Sequence, residues 1–155
     1  MAGRIDARLK ELGIELPQAA APAANYVPYV QSGKLLFVAG QITILNGELK
    51  YLGKVGKELS VEQGQKAARL CALNLIAQAK AACGGDLDRV VRCVKLGGFV
   101  NCIDGFEQQP QVVNGASDLM VEVFGDKGKH ARFAVGTNAL PRGVAVEVDA
   151  VFELA

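Results

Sequence analysis

The residues predict a two-layer α+β domain in which two helices cover one face of a sheet of about six strands. Three observations carry this. The stretch behind Ser60 and the stretch from Gln109 to Phe124 place apolar residues at helical spacing between start and stop signals. Around them lie short apolar segments bounded by turn residues, the pattern of strands. The last segment alternates Val144, Val146, Val148, Ala150 and Phe152 with Ala145, Glu147, Asp149, Val151 and Glu153, which gives it one apolar and one polar side.

Taken in order, Arg4 to Leu12 carries Ile5, Leu9 and Leu12 at helical spacing, with Gly13 to close a short helix. The Pro/Ala-rich run from Leu16 to Ala24 reads as an extended connector. Residues 1–24 are therefore expected to form an arm, and 25–155 the domain. Tyr26 to Gln31 and Leu35 to Val38 are strands about a turn at Ser32-Gly33, and Gly40 and Gln41 end the second. Ile42 to Leu45 and Glu48 to Leu52 flank Asn46-Gly47, the strongest short hairpin signal. Ser60 to Gln63 matches a capping box, followed by Ala68, Cys71, Ala72, Leu75, Ala79 and Ala82 on one stripe and a stop at Gly84-Gly85. So many alanines predict close packing against a sheet. Val90 to Val100 is a strand region whose Gly97-Gly98 pair marks a bulge or a close approach. Pro110 suits the first turn of the second helix, which buries Val112, Ala116, Leu119, Met120 and Val123 and stops at Gly125. Ala131 to Thr137 and Val144 to Leu154 complete the sheet, joined through a turn at Leu140 to Gly143.

Composition narrows the function classes. A chain of 155 residues that is 50% hydrophobic and 21% charged can bury a core, so disorder is excluded. A net charge of +1 and the absence of Trp remove the footprint of a nucleic-acid binder. Cys71, Cys83, Cys93 and Cys102 are widely spaced and accompanied by one histidine, so no metal-ligand pairing is expected. They read as reduced, small apolar residues. The N-terminus lacks an apolar signal region and no apolar run reaches membrane-spanning length, so a cytoplasmic address is expected.

Two charged residues on predicted strands stand out, Arg132 within His130-Ala-Arg-Phe-Ala-Val135, and Glu147. A strand charge beside a core needs a partner or a task. Arg132 offers a planar fork suited to a small carboxylate, or it is a structural ion-pair partner of Glu147 or another acid. Both, with Asp149, are expected on the sheet face that the helices leave open, a natural oligomer surface.

Several motifs occur together. Tyr26-Val-Pro-Tyr-Val-Gln-Ser-Gly33 and Leu35-Leu-Phe-Val-Ala-Gly-Gln-Ile42 resemble the opening of the RidA/YjgF family of reactive-intermediate deaminases. Ala131-Arg132, Leu140-Pro141 and Val146-Glu-Val-Asp-Ala150 resemble its closing signature, and Asn114 falls where the family has a helix asparagine. The resemblance implies a chorismate-mutase-like fold, a homotrimer, and three equivalent sites in clefts between subunits. It implies hydrolysis of enamines and imines of the 2-iminobutanoate and 2-iminopropanoate type to 2-keto acids and ammonia, with no cofactor and no metal. By the same resemblance Arg132 grips the substrate carboxylate and Glu147 stands by the attacking water. Tyr26, Gly40 and Asn114 then border the substrate.

The chain departs from the usual pattern at Ala39, often serine, at Thr43 and His130, often proline, and at Ala134, often cysteine. These mark a divergent branch and bear on substrate and rate more than on fold. The alternative reading is a non-catalytic trimer that binds small 2-keto acids. A third, endoribonuclease or translation inhibitor as described for some relatives, is opposed by the near-neutral charge and the scarcity of stacking aromatics.

Overall fold

A computed structural model describes residues 3–22 and 24–155. Helix α1 (Arg4–Glu11) is followed by strands β1 (Tyr29–Ser32), β2 (Leu35–Gln41), β3 (Ile44–Leu45) and β4 (Glu48–Leu49). Then come α2 (Val61–Ala82), β5 (Val90–Asn101), α3 (Gln109–Phe124), β6 (Ala131–Thr137) and β7 (Val146–Leu154). The main sheet has the order β1-β2-β7-β5-β6, parallel between β5 and β6 and antiparallel elsewhere; β3 and β4 form a separate ribbon. The mixed α+β architecture is the one expected, with seven strands and three helices among the described residues.

Local signals set the helix ends. Ser60 Oγ accepts from the Gln63 N–H while the Gln63 side chain accepts from the Ser60 N–H, closing the capping box that starts α2. In α3, Pro110 occupies the first turn, where a missing N–H costs nothing, and Gly125 ends the helix. Both helices bury their apolar stripes on one face of the sheet, around the fully buried Phe152, Leu36, Leu75, Leu96, Leu119 and Met120. All four cysteines are free and buried, and burial pushes the Cys93 thiol up to about 12.

The strand boundaries differ from expectation in informative ways. β1 begins at Tyr29, because Tyr26 to Pro28 lie beyond the last pairing with β2. The hairpin at Asn46-Gly47 forms with both residues at positive φ (49° and 90°), as its turn type requires, but pairs only two residues a side. Gly97-Gly98 is a close approach and not a bulge: its register with β6 and β7 is continuous, and Val113 of α3 and the Phe133 ring fill the space that side chains would take. The irregularity in β2 falls instead between Val38 and Gln41. β7 starts at Val146, two residues late, since Val144 bridges Leu52 outside the sheet.

The N-terminal arm is docked. Ile5 and Leu9 join the core, and the Asp88 carboxylate accepts the free N–H groups of Arg4 (2.8 Å) and Ile5 (2.9 Å). Those bonds hold the Asp88 carboxyl below the usual carboxylate range. The connector is tied down in turn, the Gln18 N–H donating to Asn46 Oδ1 (2.9 Å) and Gln78 Nε2 to the Ala20 carbonyl (2.7 Å).

Helix α2 packs against α3 as well as against the sheet. At Gly115 of α3 the two helices approach so closely that a methyl group would overlap the Gln65 carbonyl of α2. Gly115→Ala is expected to cost about 1–3 kcal/mol by overpacking. In a chain of this size that lowers Tm by roughly 2–4 °C per kcal/mol, which scanning calorimetry reads directly. An unchanged Tm would show that α2 and α3 do not close on this residue.

Candidate functional site

Glu147 is the second residue of β7, and its register partner is the exposed Phe99 of β5. The alternation of the strand sends Val146 and Val148 into the core and Glu147 to the side away from the helices. There Gly40, in the irregular stretch of β2, passes so near that any side chain at this position would displace Glu147 Oε2. The two line a cavity of about 160 Å³. Tyr26 and Arg142 form further parts of its wall, and Ala20, Ala21 and Pro22 of the connector add an apolar section.

Two buried amides of α2 hold this wall from behind. Asn74 Nδ2 donates to the carbonyls of Ile42 (3.1 Å) and Ile44 (2.8 Å), and Gln78 Nε2 to that of Ala20. Ile42, Ile44 and Ala20 all border the cavity. Burial raises the Glu147 carboxyl above the ordinary carboxylate range, and the negative charge of Asp149 raises it further. Asp149 is itself raised, chiefly by burial. An acid of this kind gives up and takes back a proton nearer neutrality than a free carboxylate does.

Arg132 lies elsewhere. The sequence reading puts it on the open face beside Glu147; the structure puts it on the helix side. Its parallel partner on β5 is Leu96, a fully buried core residue, so Arg132 faces α3. One terminal nitrogen of its guanidinium donates to Ser117 Oγ (3.0 Å) and the other to the Pro110 carbonyl (3.0 Å). It makes no ion pair with Glu147. Asn114, exposed on α3, stands four residues after Pro110 and three before Ser117, on the helix face that Arg132 spans.

The candidate residues thus fall into two groups on opposite sides of one sheet: Tyr26, Gly40 and Glu147 around the cavity, Arg132 and Asn114 where edge strand β6 meets α3. Arg142 and the connector at the cavity, and Ser117 beside Arg132, were not singled out in the sequence. Arg142, in a turn after Leu140-Pro141, takes the left-handed conformation (φ 59°) and has no hydrogen-bonding or ion-pair partner among the described residues. Its only signal was a cation just ahead of the strand that carries Glu147. Among the described residues no cluster of three or more His, Cys, Asp or Glu could hold a metal ion, and no helix is long and apolar enough to cross a membrane.

The profile of the family described as "YjgF/chorismate mutase-like, putative endoribonuclease" matches residues 6–153. The chain belongs to the RidA/YjgF family. It is 54% identical over 153 residues to Protein TCP17 of Trypanosoma cruzi, covering 98% of this chain and 95% of that one. Among solved structures it is similar to Atu1372 of Agrobacterium tumefaciens, a protein of unknown function (48% identity, 97% of this chain and 92% of that one, TM-score 0.91). It is also similar to a "putative endoribonuclease" of Shewanella oneidensis (38% identity, 98% and 100%, TM-score 0.94). In this RidA/YjgF chain the matched span takes in the connector that borders the cavity.

The raised Glu147 gives a stability signature with a definite sign. The folded state keeps this proton to a higher pH than the unfolded chain, so between the two values stability falls as pH rises. Glu147→Gln, neutral at every pH, is expected to melt above the parent protein at neutral pH. Below about pH 4, where carboxyls are protonated in both states, the two should melt together. Thermal melts across that range check it; a variant less stable than the parent at neutral pH contradicts the assignment.

Proposed function

We propose that this RidA/YjgF protein is a hydrolytic deaminase of reactive enamines and imines derived from amino acids, releasing a 2-keto acid and ammonia. The observation that carries the reading is Glu147, a half-buried carboxyl with its proton affinity raised, set in the wall of a small and mostly apolar cavity. An iminium carbon is already electrophilic. What hydrolysis needs is a positioned water, a group that takes its proton, and the return of that proton to the departing nitrogen. Glu147 serves both transfers. Water adds to the carbon, the C–N bond breaks, and ammonia leaves as the carbonyl forms.

The substrate carboxylate needs a cation, and Arg132 supplies a planar fork. In one subunit it stands across the sheet from Glu147, so the two meet on one substrate only where copies of the chain pack together. Edge strand β6, paired on one side only, is free to bring Arg132 to the cavity of a neighbour. This favours a homotrimer with its sites between subunits. The open sheet face supports the same reading, since it exposes Val30, Leu35, Phe37, Phe99 and Val135.

The test is ammonia release from imines generated in place by a threonine/serine dehydratase. The wild type should accelerate it, and Arg132→Ala and Glu147→Gln should each lose about 10²–10⁴-fold. Coexpression of these two variants should restore part of the activity, because mixed assemblies contain sites with both native residues. A larger loss in Arg142→Ala than in Arg132→Ala would move the carboxylate anchor into the cavity. A folded wild type that binds 2-keto acids without turnover would favour a metabolite-binding protein instead.

A further inference from the structure

The side chains behind Arg132 form a chain of hydrogen bonds. His130 Nδ1 lies 2.6 Å from the Gly128 carbonyl, which can only accept, so Nδ1 carries the proton. In the neutral ring Nε2 is then an acceptor, and Ser117 Oγ, 2.9 Å away, donates to it. With its proton committed, the Ser117 oxygen turns its lone pairs outward and accepts from Arg132 Nη1 at 3.0 Å. The other terminal nitrogen is held by the Pro110 carbonyl, about two turns earlier on the same face of α3. The guanidinium is therefore fixed at two points, and three of its five N–H donors are left for a ligand.

The geometry points to Ser117 and His130 as positioning residues that pre-orient Arg132 for the carboxylate of the substrate. The proposal rests on the reading of Arg132 as the carboxylate anchor. His130 sits two residues before Arg132 on the approach to β6, and Ser117 reaches across from α3, so the relay spans the two elements that border this half of the site. An arginine left free to sample its rotamers would have to be ordered by each arriving substrate. One ordered in advance is not, and the difference appears in affinity. Neither Ser117 nor His130 need touch the reacting atoms.

Calorimetric titration with 2-oxobutanoate as the probe, beside the imine assay, tests this. Ser117→Ala and His130→Phe should weaken binding about 3–10-fold, the range set by ordering one long side chain. Ser117→Thr keeps the hydroxyl, and His130→Gln can place an amide oxygen near the position of Nε2; both should recover most of the affinity. In an Arg132→Ala background the Ser117→Ala change should have no further effect, since the two act as one unit. Equal losses from Ser117→Ala with and without Arg132, or no loss in either setting, overturn the relay while leaving the deaminase reading intact. If the wild type does not bind the probe, or Arg132→Ala binds as well as the wild type, the anchor role of Arg132 fails and the relay falls with it. Should Ser117→Ala or His130→Phe fail to fold, Ser117→Cys, nearly the same size but a poor acceptor, takes their place: a loss of affinity that Ser117→Thr does not show supports the relay, and native affinity overturns it.

Discussion

The arrangement of this molecule turns on the register of β5 with its two neighbours. Leu96 is paired with Arg132 on one side and Ala150 on the other, and Phe99 with Val135 and Glu147. Because side chains alternate along a strand, these pairings assign a side of the sheet to every residue of β6 and β7 at once. A slip of one residue in β6 would carry Arg132 away from α3 and release Ser117 and Pro110. The same slip in β7 would bury Glu147 among the helices, where an unpaired carboxylate is prohibitively costly. Register is held by the apolar halves of the strands and not by the charges. Val146, Val148, Ala150 and Phe152 are all buried, and they leave the polar residues no choice of side.

Around that frame the cavity is assembled from segments that make few sheet hydrogen bonds of their own. The backbone near Ile42 and Ile44 and the connector at Ala20 satisfy carbonyls through Asn74 and Gln78, polar residues in an otherwise apolar stretch of α2. A buried amide is costly unless bonded, and here each supplies donors to chain that runs outside the main sheet. The long helix thus carries the core on its alanines and leucines and the cavity wall on its two amides. Lys54 plays a comparable part at the far end of β5, donating to Asn101 Oδ1 and to the carbonyls of Cys102 and Asn138.

The two groups of candidate residues differ in their surroundings. Around Arg132 every hydrogen bond has a donor and an acceptor, and the charge is neighboured by oxygen atoms at the edge of the sheet. Around Glu147 the surroundings are mostly apolar, and Asp149 adds a charge of like sign. Under the proposed reaction one group would hold a charge in place and the other would make a proton transferable. A carboxyl kept in such a setting reduces stability at neutral pH.

The residues alone determined the two long helices, the succession of strand segments along the chain and the family. Capping box, Pro at the helix start, glycine stops and period-two alternation are local signals, and local hydrogen bonding and burial decide them. Arg132, Glu147, Tyr26, Gly40 and Asn114 could be picked out because motif spacing along the chain survives divergence. Which side of the sheet Arg132 occupies was not legible, because it depends on its pairing with Leu96, thirty-six residues away, and on the covering of that face by α3. Nor could the sequence place the connector against the cavity, since Gln78 and Ala20 meet only after α2 has packed on the sheet. Ser117 and His130 look ordinary as letters; they become a pair only when α3 and the start of β6 converge. Short-range chemistry is written in neighbouring residues, while the sidedness of a strand and the meeting of distant side chains are properties of the packed whole.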